Sequence, residues 1–344
     1  MINTIKVAFV SLFCLASSWL YAGATSTNDS HANSPCDSAD AGECNSAGMP
    51  IYSFKSMLAG LSLRDTPLSY APPVGSAIEF VFYYNEKESD QNAVFSGWNL
   101  GQKWTSNWLS FIQDDPNSIG NNVLQYVAGG GAYEYKGYQP STGKFSPKQN
   151  DAAVLVRLDN QSYELRENDG RIERFSFAEN KTSYPRKVYL TERVDPQGNT
   201  VRLSYDNQMR LNAITDAIGQ ISYFHYDNMN FPLVVTRISD PFGRQVLIEY
   251  DAQGRLSAIT DAIGLRSSFT YQDSSYFISA MTTPYGRTSF EKTQGLHGNS
   301  SSAIQAIDPL GFVERTEYRH SAPGVGYSES QVPAGMGMLN NYLN

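Results

Sequence analysis

The chain is predicted to be all-β: an antiparallel array of β-hairpin repeats preceded by a β-rich amino-terminal module. Three observations carry that prediction. Arg210-Leu211-Asn212-Ala213-Ile214-Thr215-Asp216-Ala217-Ile218-Gly219 returns as Arg255-Leu256-Ser257-Ala258-Ile259-Thr260-Asp261-Ala262-Ile263-Gly264 with one position of the ten changed, and self-similarity of that length marks a repeat array. Turn tetrads led by aspartate begin at Asp195, Asp206, Asp216, Asp227, Asp240, Asp251 and Asp261, spaced 11, 10, 11, 13, 11 and 10 residues by subtraction. That pace leaves segments of ordinary strand length and no room for crossover helices. Tyrosine, with 22 residues, leads the aromatics, which favours strands over helices.

The elements follow in order. Residues 1–24 read as a Sec-type signal peptide: Lys6, an apolar run from Val7 to Leu20, then Ala22-Gly23-Ala24 before the expected cleavage point. Cys14 lies inside that run behind bulky Phe13, so a lipoprotein site is not expected there. No later segment has enough consecutive apolar residues to cross a bilayer. Residues 25–48 form a polar leader, expected to be disordered. It carries Cys36 and Cys44, an even pair that in an oxidising compartment reads as one short-loop disulfide.

Residues 49–150 form the β-rich amino-terminal module. Ile78-Glu79-Phe80-Val81-Phe82-Tyr83-Tyr84 is its plainest strand, and Trp98, Trp104 and Trp108 are read as core anchors. A sugar-stacking platform is the rival reading of those tryptophans. Residues 151–322 form the repeat array, and 323–344 an irregular tail rich in Met and Asn.

Within the array the turn chemistry is specific. Asp at the first position accepts a backbone hydrogen bond, Pro at the second presets φ, and Gly at the fourth takes the exit conformation that other residues resist. Asp195…Gly198, Asp240…Gly243 and Asp308…Gly311 meet all three requirements, while Asp216…Gly219, Asp251…Gly254 and Asp261…Gly264 lack only the proline. Asp227 is followed by Asn230 in place of Gly, which tolerates the same geometry. Asp206 is followed by Met209, so that turn is expected to be looser. Tyr205, Tyr226, Tyr250 and Tyr271 each follow an apolar residue two places earlier: Leu203, Phe224, Ile248 and Phe269. Period-two spacing puts each such pair on one sheet face.

A net charge of −8 argues against nucleic acid or an anionic membrane as the main partner. His31, His225, His297 and His320 are scattered without a metal-ligand partner at hairpin spacing. The serial aspartates recur at every hairpin, which neither a glycosidase carboxylate pair nor a calcium loop requires. No nucleophile elbow, P-loop or His-Glu-x-x-His is present. Catalytic, cofactor-binding and metal residues are therefore all expected to be none, with no cofactor.

Tyr205-Asp206, Tyr226-Asp227 and Tyr250-Asp251-Ala252-Gln253-Gly254-Arg255-Leu256 resemble the YD repeats of Rhs-family proteins. The resemblance is complete at 250–264, partial at 205–219 and decayed at 271–286. It implies a β-ribbon that spirals into a hollow shell, in many members around a carboxy-terminal toxin. The expected partners are thus the remainder of the shell or a toxin cargo, with cell-surface glycans as the alternative for an adhesin-like binding module. Complete members are far longer, so the chain reads as a fragment or a short front-end homologue. It is expected to be secreted or surface-located and non-enzymatic, with an unpaired sheet edge that favours self-association.

Overall fold

The computed structural model describes residues 49–55, 58–89, 97–294 and 302–318, and every named element is a strand. The expected signal peptide, the leader with Cys36 and Cys44, and the tail lie outside the described residues. Three substructures follow one another along the chain.

The first is a four-stranded antiparallel sheet of β1 (Ile51–Lys55), β2 (Gly60–Tyr70), β3 (Ile78–Asn85) and β4 (Trp104–Ser106) in that order. β2 and β3 alternate apolar side chains toward one side: Leu61, Leu63, Phe80, Phe82 and Tyr84 are all buried. β2 bulges between Asp65 and Leu68, around Thr66-Pro67, where proline could not have donated to the ladder.

The second is a ring. β5 (Phe111–Asp114) pairs with β6 (Val123–Tyr126), and β6 with β7 (Ala132–Tyr135). The chain then doubles back at Gln139 and Lys144, and Lys144 bridges to Val156 of β8 (Val154–Arg157). Phe145 N–H donates to Leu155 O at 2.9 Å beside that bridge. From β8 the ladders run through β9 (Tyr163–Arg166) and β10 (Ile172–Ala178) to β11 (Arg186–Val194). β11 pairs back to β5 through Arg186–Tyr189, which closes the circuit. The expected division at 150/151 falls inside this ring, between β7 and β8. Nothing in the spacing of the turns announced the closure, because β5 and β11 are far apart in sequence.

One end of the ring is filled by a buried ionic cluster. Asp114, fully buried, accepts from Arg186 Nε at 2.9 Å and Nη2 at 2.6 Å, and from Tyr163 OH at 2.7 Å. Arg157 stands at 3.7 Å from the same carboxylate. Two guanidinium groups and a phenol on one carboxylate satisfy a charge that would otherwise be costly to bury.

The third is an open ribbon. β11 is shared: its Glu192–Val194 end pairs with β12 (Thr200–Tyr205). Each strand then pairs with the next through β13 (Leu211–Thr215), β14 (Ile221–His225), β15 (Arg237–Ser239), β16 (Gln245–Tyr250), β17 (Leu256–Thr260), β18 (Arg266–Tyr271), β19 (Ile278–Thr283), β20 (Gly286–Gln294), β21 (Ser302–Ile307) and β22 (Val313–Tyr318). Among the described residues β22 pairs only with β21. The antiparallel hairpin meander is therefore the fold, and the array does not close on itself.

The amino-terminal sheet lies against one face of the ribbon. Phe80 and Trp98 meet Phe224 with ring centroids 5.8 Å apart in each case, Trp104 meets Phe269 at 4.9 Å, and Tyr52 meets Phe290 at 5.3 Å. Phe224 and Phe269, two places before Tyr226 and Tyr271, thus form part of the interface, with Phe290 continuing the series. Trp98 and Trp104 have no exposed surface and Trp108 only 3%. The tryptophans are core anchors, and burial argues against the sugar-stacking reading, since none of the three is more than 3% exposed.

Two turn expectations are corrected. The Asp206 turn is not loose: Met209 N–H donates to Asp206 O at 3.1 Å, and Met209 adopts φ +63°. The geometry is kept at the expense of a left-handed non-glycine residue, a cost of roughly 1–2 kcal/mol. Asp227 does not start a tight turn. Its N–H donates to Thr236 Oγ1, and the chain makes a wide loop instead. The gap is occupied by Asn99, which accepts from Val235 N–H at 3.1 Å and donates its own N–H to Leu233 O at 2.9 Å. A segment of the amino-terminal module thus plugs the ribbon where a local turn would have closed it.

Candidate functional site

The repeating unit is the most developed chemical arrangement in the molecule. At Asp195, Asp206, Asp216, Asp240, Asp251, Asp261 and Asp308 the carboxylate Oδ1 accepts from the backbone N–H two residues on, at 2.9–3.0 Å. It also accepts from the N–H four residues on, at 2.8–2.9 Å. Gly198, Gly219, Gly243, Gly254, Gly264 and Gly311 follow at φ between +75° and +90°. These are three-residue hairpin loops, a type I turn followed by a left-handed residue. Each carboxylate is used to hold its own turn.

The tyrosines have a second, longer-range role. Tyr205 OH donates to Leu190 O at 2.6 Å, Tyr226 to Leu211 O at 2.8 Å, Tyr250 to Val235 O at 2.8 Å and Tyr271 to Leu256 O at 2.7 Å. The separation is 15 residues every time. A ladder irregularity immediately before Tyr205, Tyr250 and Tyr271 re-aims those strands. Each hydroxyl closes the open end of a hairpin by bonding the carbonyl of the preceding strand. Burial pushes the phenols well above their usual range, so they remain donors.

The arginine of the motif links one unit to the next. Arg210 Nε donates to Asp206 Oδ2 at 2.8 Å, and its guanidinium lies 4.6 Å from the centroid of Tyr226. Arg255 repeats this with Asp251 at 2.6 Å and Tyr271 at 4.7 Å. Such a cation over a buried ring adds about 1–2 kcal/mol. The leucines that follow, Leu211 and Leu256, are fully buried, and their carbonyls accept the tyrosine hydroxyls. Tyr, Asp, Gly, Arg and Leu are thus one interlocking device. The series ends at Lys292, which stands 21 residues after Tyr271 by subtraction and pairs with Glu86 of the amino-terminal sheet.

Sequence reasoning placed the turns and the tyrosine face but missed the arginine and leucine roles. The constant offset from leucine to tyrosine was the available signal. The Asp114 cluster had no comparable signal, since its partners are 72 and 49 residues away.

A cavity of about 840 Å³ opens where the ring faces the amino-terminal sheet and β11–β12. Glu79, Trp108, Gln125, Tyr135, Glu173 and Arg193 are among its walls. Arg193 donates to Glu173 at 2.9 Å and to Asn107 O at 2.7 Å, and lies 4.6 Å from the Trp108 ring. Tyr135 OH donates to Gln125 Oε1 at 3.1 Å. Burial pushes the Glu167 carboxyl above the usual carboxylate range. The cavity is polar, walled by both signs of charge, and suited to a hydrophilic ligand or an extended polypeptide.

Elsewhere, among the described residues, the ingredients of catalysis do not converge. His225 Nε2 lies 3.1 Å from Ser239 Oγ across β14 and β15, but among the described residues no carboxylate bonds its other ring nitrogen. Burial, with Arg237 nearby, pushes this imidazole below its usual range. Among the described residues no group of three His, Cys, Asp or Glu side chains could hold a metal, and no helix is long and apolar enough to cross a membrane.

The family model described as RHS Repeat matches residues 235–262 and again 250–288. Those spans contain the Tyr250 and Tyr271 staples and the Asp251 and Asp261 turns. No curated protein sequence matches the chain. Among solved structures, a TcdB2–TccC3 chain is similar over 78% of this chain and 16% of its own, with 8% identity and a TM-score of 0.30. A porin-like protein from Bacteroides uniformis is similar over 62% of this chain and 96% of its own, with 12% identity and a TM-score of 0.27. A chain of the Tc holotoxin pore of Photorhabdus luminescens is similar over 78% and 14%, with 14% identity and a TM-score of 0.20. The chain therefore spans only about a sixth of the TcdB2–TccC3 chain it resembles.

Proposed function

Because the chain is an RHS-repeat protein, we propose that it is an exported, non-enzymatic structural protein, the front section of an Rhs-type β-shell that encloses or delivers a carboxy-terminal toxin. The observation that carries the reading is the constant 15-residue tyrosine staple. It lets identical hairpins follow one another without any change in the bonds between them, which is what a wall requires. The carboxylates that could have served chemistry hold the turns instead. The amino-terminal module, proposed as residues 49–150, covers the face of the first repeats and caps the array, which is proposed as 151–322. Export rests on the signal-like residues 1–24.

The test is protection. The full chain is purified from its own cells after mild crosslinking, and co-purifying polypeptides are exposed to protease with and without it. A polypeptide digested only when this chain is removed supports the shell. Equal digestion in both samples rules the shell out.

The cavity at the ring favours a second reading, an envelope binding module for polar ligands such as surface glycans. Its test is glycan binding lost in Gln125→Ala with the fold intact. Tryptophan stacking is no part of it.

A further inference from the structure

Turns at one edge of the ribbon run along β2 of the amino-terminal sheet, and each buries a carboxylate. Asp216, Asp240 and Asp261 are respectively 1%, 6% and 5% exposed. The Asp240 carboxylate is neutralised by Arg244, whose Nη2 also donates to Ser69 O of β2 at 2.9 Å. Asp216 and Asp261 have no such arginine: Gln220 and Leu265 stand at the corresponding positions. Oδ2 of each is buried without a hydrogen-bond partner.

The two unpaired turns are equivalent by the repeat. Each is followed on the next strand by a buried serine, Ser222 or Ser267, opposite Ile214 or Ile259. What differs is the residue that β2 sends into the cleft. At Asp216 it is Tyr70, whose hydroxyl lies beside Asp216 and Ser222 and carries a proton that burial keeps in place by pushing the phenol up to about 12. At Asp261 it is Asp65, 3% exposed, with Oδ1 likewise unpartnered. The turn is held against β2 there by Ala262 N–H donating to Pro67 O at 3.2 Å. Two ionised carboxylates cannot share a dry cleft in which the equivalent site holds a hydroxyl donor.

We propose that Asp65 carries a proton toward the Asp261 carboxylate, in the place that the Tyr70 hydroxyl takes beside Asp216 in the preceding repeat, so that the amino-terminal sheet is latched to the ribbon by a pH-sensitive contact between two acids. The other charged groups at the cleft are few. Arg64, next to Asp65 on β2, is a cation that acts on it. β3 places Phe82 opposite Asp65. From the ribbon, Arg266 is turned away to Glu249, at 2.9 Å, and Arg244 is committed to Asp240 and Ser69.

Burial first, and the Asp261 charge second, push the Asp65 carboxyl up to about 7. The sign follows from proton binding. The folded chain holds a proton that the unfolded chain has released above about pH 4, so this contribution to stability is complete in acid and is lost as pH rises through about 7.

The test uses hydrogen exchange of β2 amides in the full chain at pH 5 and pH 8, corrected for intrinsic exchange, on wild type, Asp65→Asn and Asp261→Asn. The wild-type opening constant is expected to rise roughly tenfold or more, Asp65→Asn to be pH-independent, and Asp261→Asn to keep a smaller pH dependence because burial of Asp65 remains. An infrared band of a protonated carboxylic acid, titrating near neutrality in wild type and absent from Asp65→Asn, would support the same assignment without relying on the variants' stability. A pH-independent wild type, or no such band, overturns the proposal. So does opening induced by a chelator at pH 5, which would mean that a cation occupies the cleft.

Discussion

The ring and the ribbon share one strand, β11, yet are held in opposite ways. In the ribbon every bond that defines a repeat is short in sequence: four residues from Asp251 to Arg255, 15 from Val235 to Tyr250. The ring is closed by β5 against β11 and by Asp114 with Arg186, 72 residues apart. The ribbon can lose one staple and keep its neighbours. The ring has one closure, and losing it opens everything between β5 and β11. Stability in the ribbon is distributed, whereas in the ring it is concentrated.

The largest expected effect is therefore at the ring. Arg186→Met leaves Asp114 buried beside Tyr163 and Arg157, the latter at 3.7 Å, and breaking a buried pair from one side costs about 3–5 kcal/mol. Chemical denaturation should show that loss, together with exchange of β5 and β11 amides at the rate of global unfolding. A change below about 1 kcal/mol would show that the cluster does not close the ring.

A staple should cost less and spread less. Tyr250→Phe removes the donor to Val235 O and leaves that carbonyl buried, a loss of about 1–3 kcal/mol. Exchange should rise for the β15–β16 hairpin and stay unchanged for β17–β18 beyond the Tyr271 staple. If β12 to β22 loosen together, the ribbon is as cooperative as the ring and the contrast fails.

The smallest effect tests the turn itself. Met209→Gly relieves a left-handed methionine and should stabilise by a few tenths to about 1 kcal/mol. Gly254→Ala places a Cβ 2.9 Å from Phe231 at φ +75° and should destabilise by about 1–2 kcal/mol. Thermal melts of the pair should move in opposite directions. Shifts of the same sign would mean that the two turns do not share one geometry.

Much of the ribbon was legible residue by residue. Asp, Pro and Gly at fixed offsets specify a turn through local sterics and a local hydrogen bond. Alternation of Leu203 with Tyr205, or Phe269 with Tyr271, specifies a face through the pleat. Less of the candidate site was legible. Arg210 and Arg255 stand in the sequence only as members of the repeated motif, yet each covers the tyrosine 16 residues later. The cavity draws its walls from segments as distant as Arg64 and Val201, and no periodicity relates them.

The sequence by itself determined the strands, most of the turns and the period of the repeat, because alternation and turn chemistry depend on interactions that reach only a few residues along the chain. Tertiary structure alone decided three things. It closed the ring through Asp114, it filled the Asp227 gap with Asn99, and it set Asp65 rather than a second tyrosine against Asp261. Each of these brings together groups whose separation carries no pattern, and their energy arises only when burial removes the water that would otherwise satisfy them.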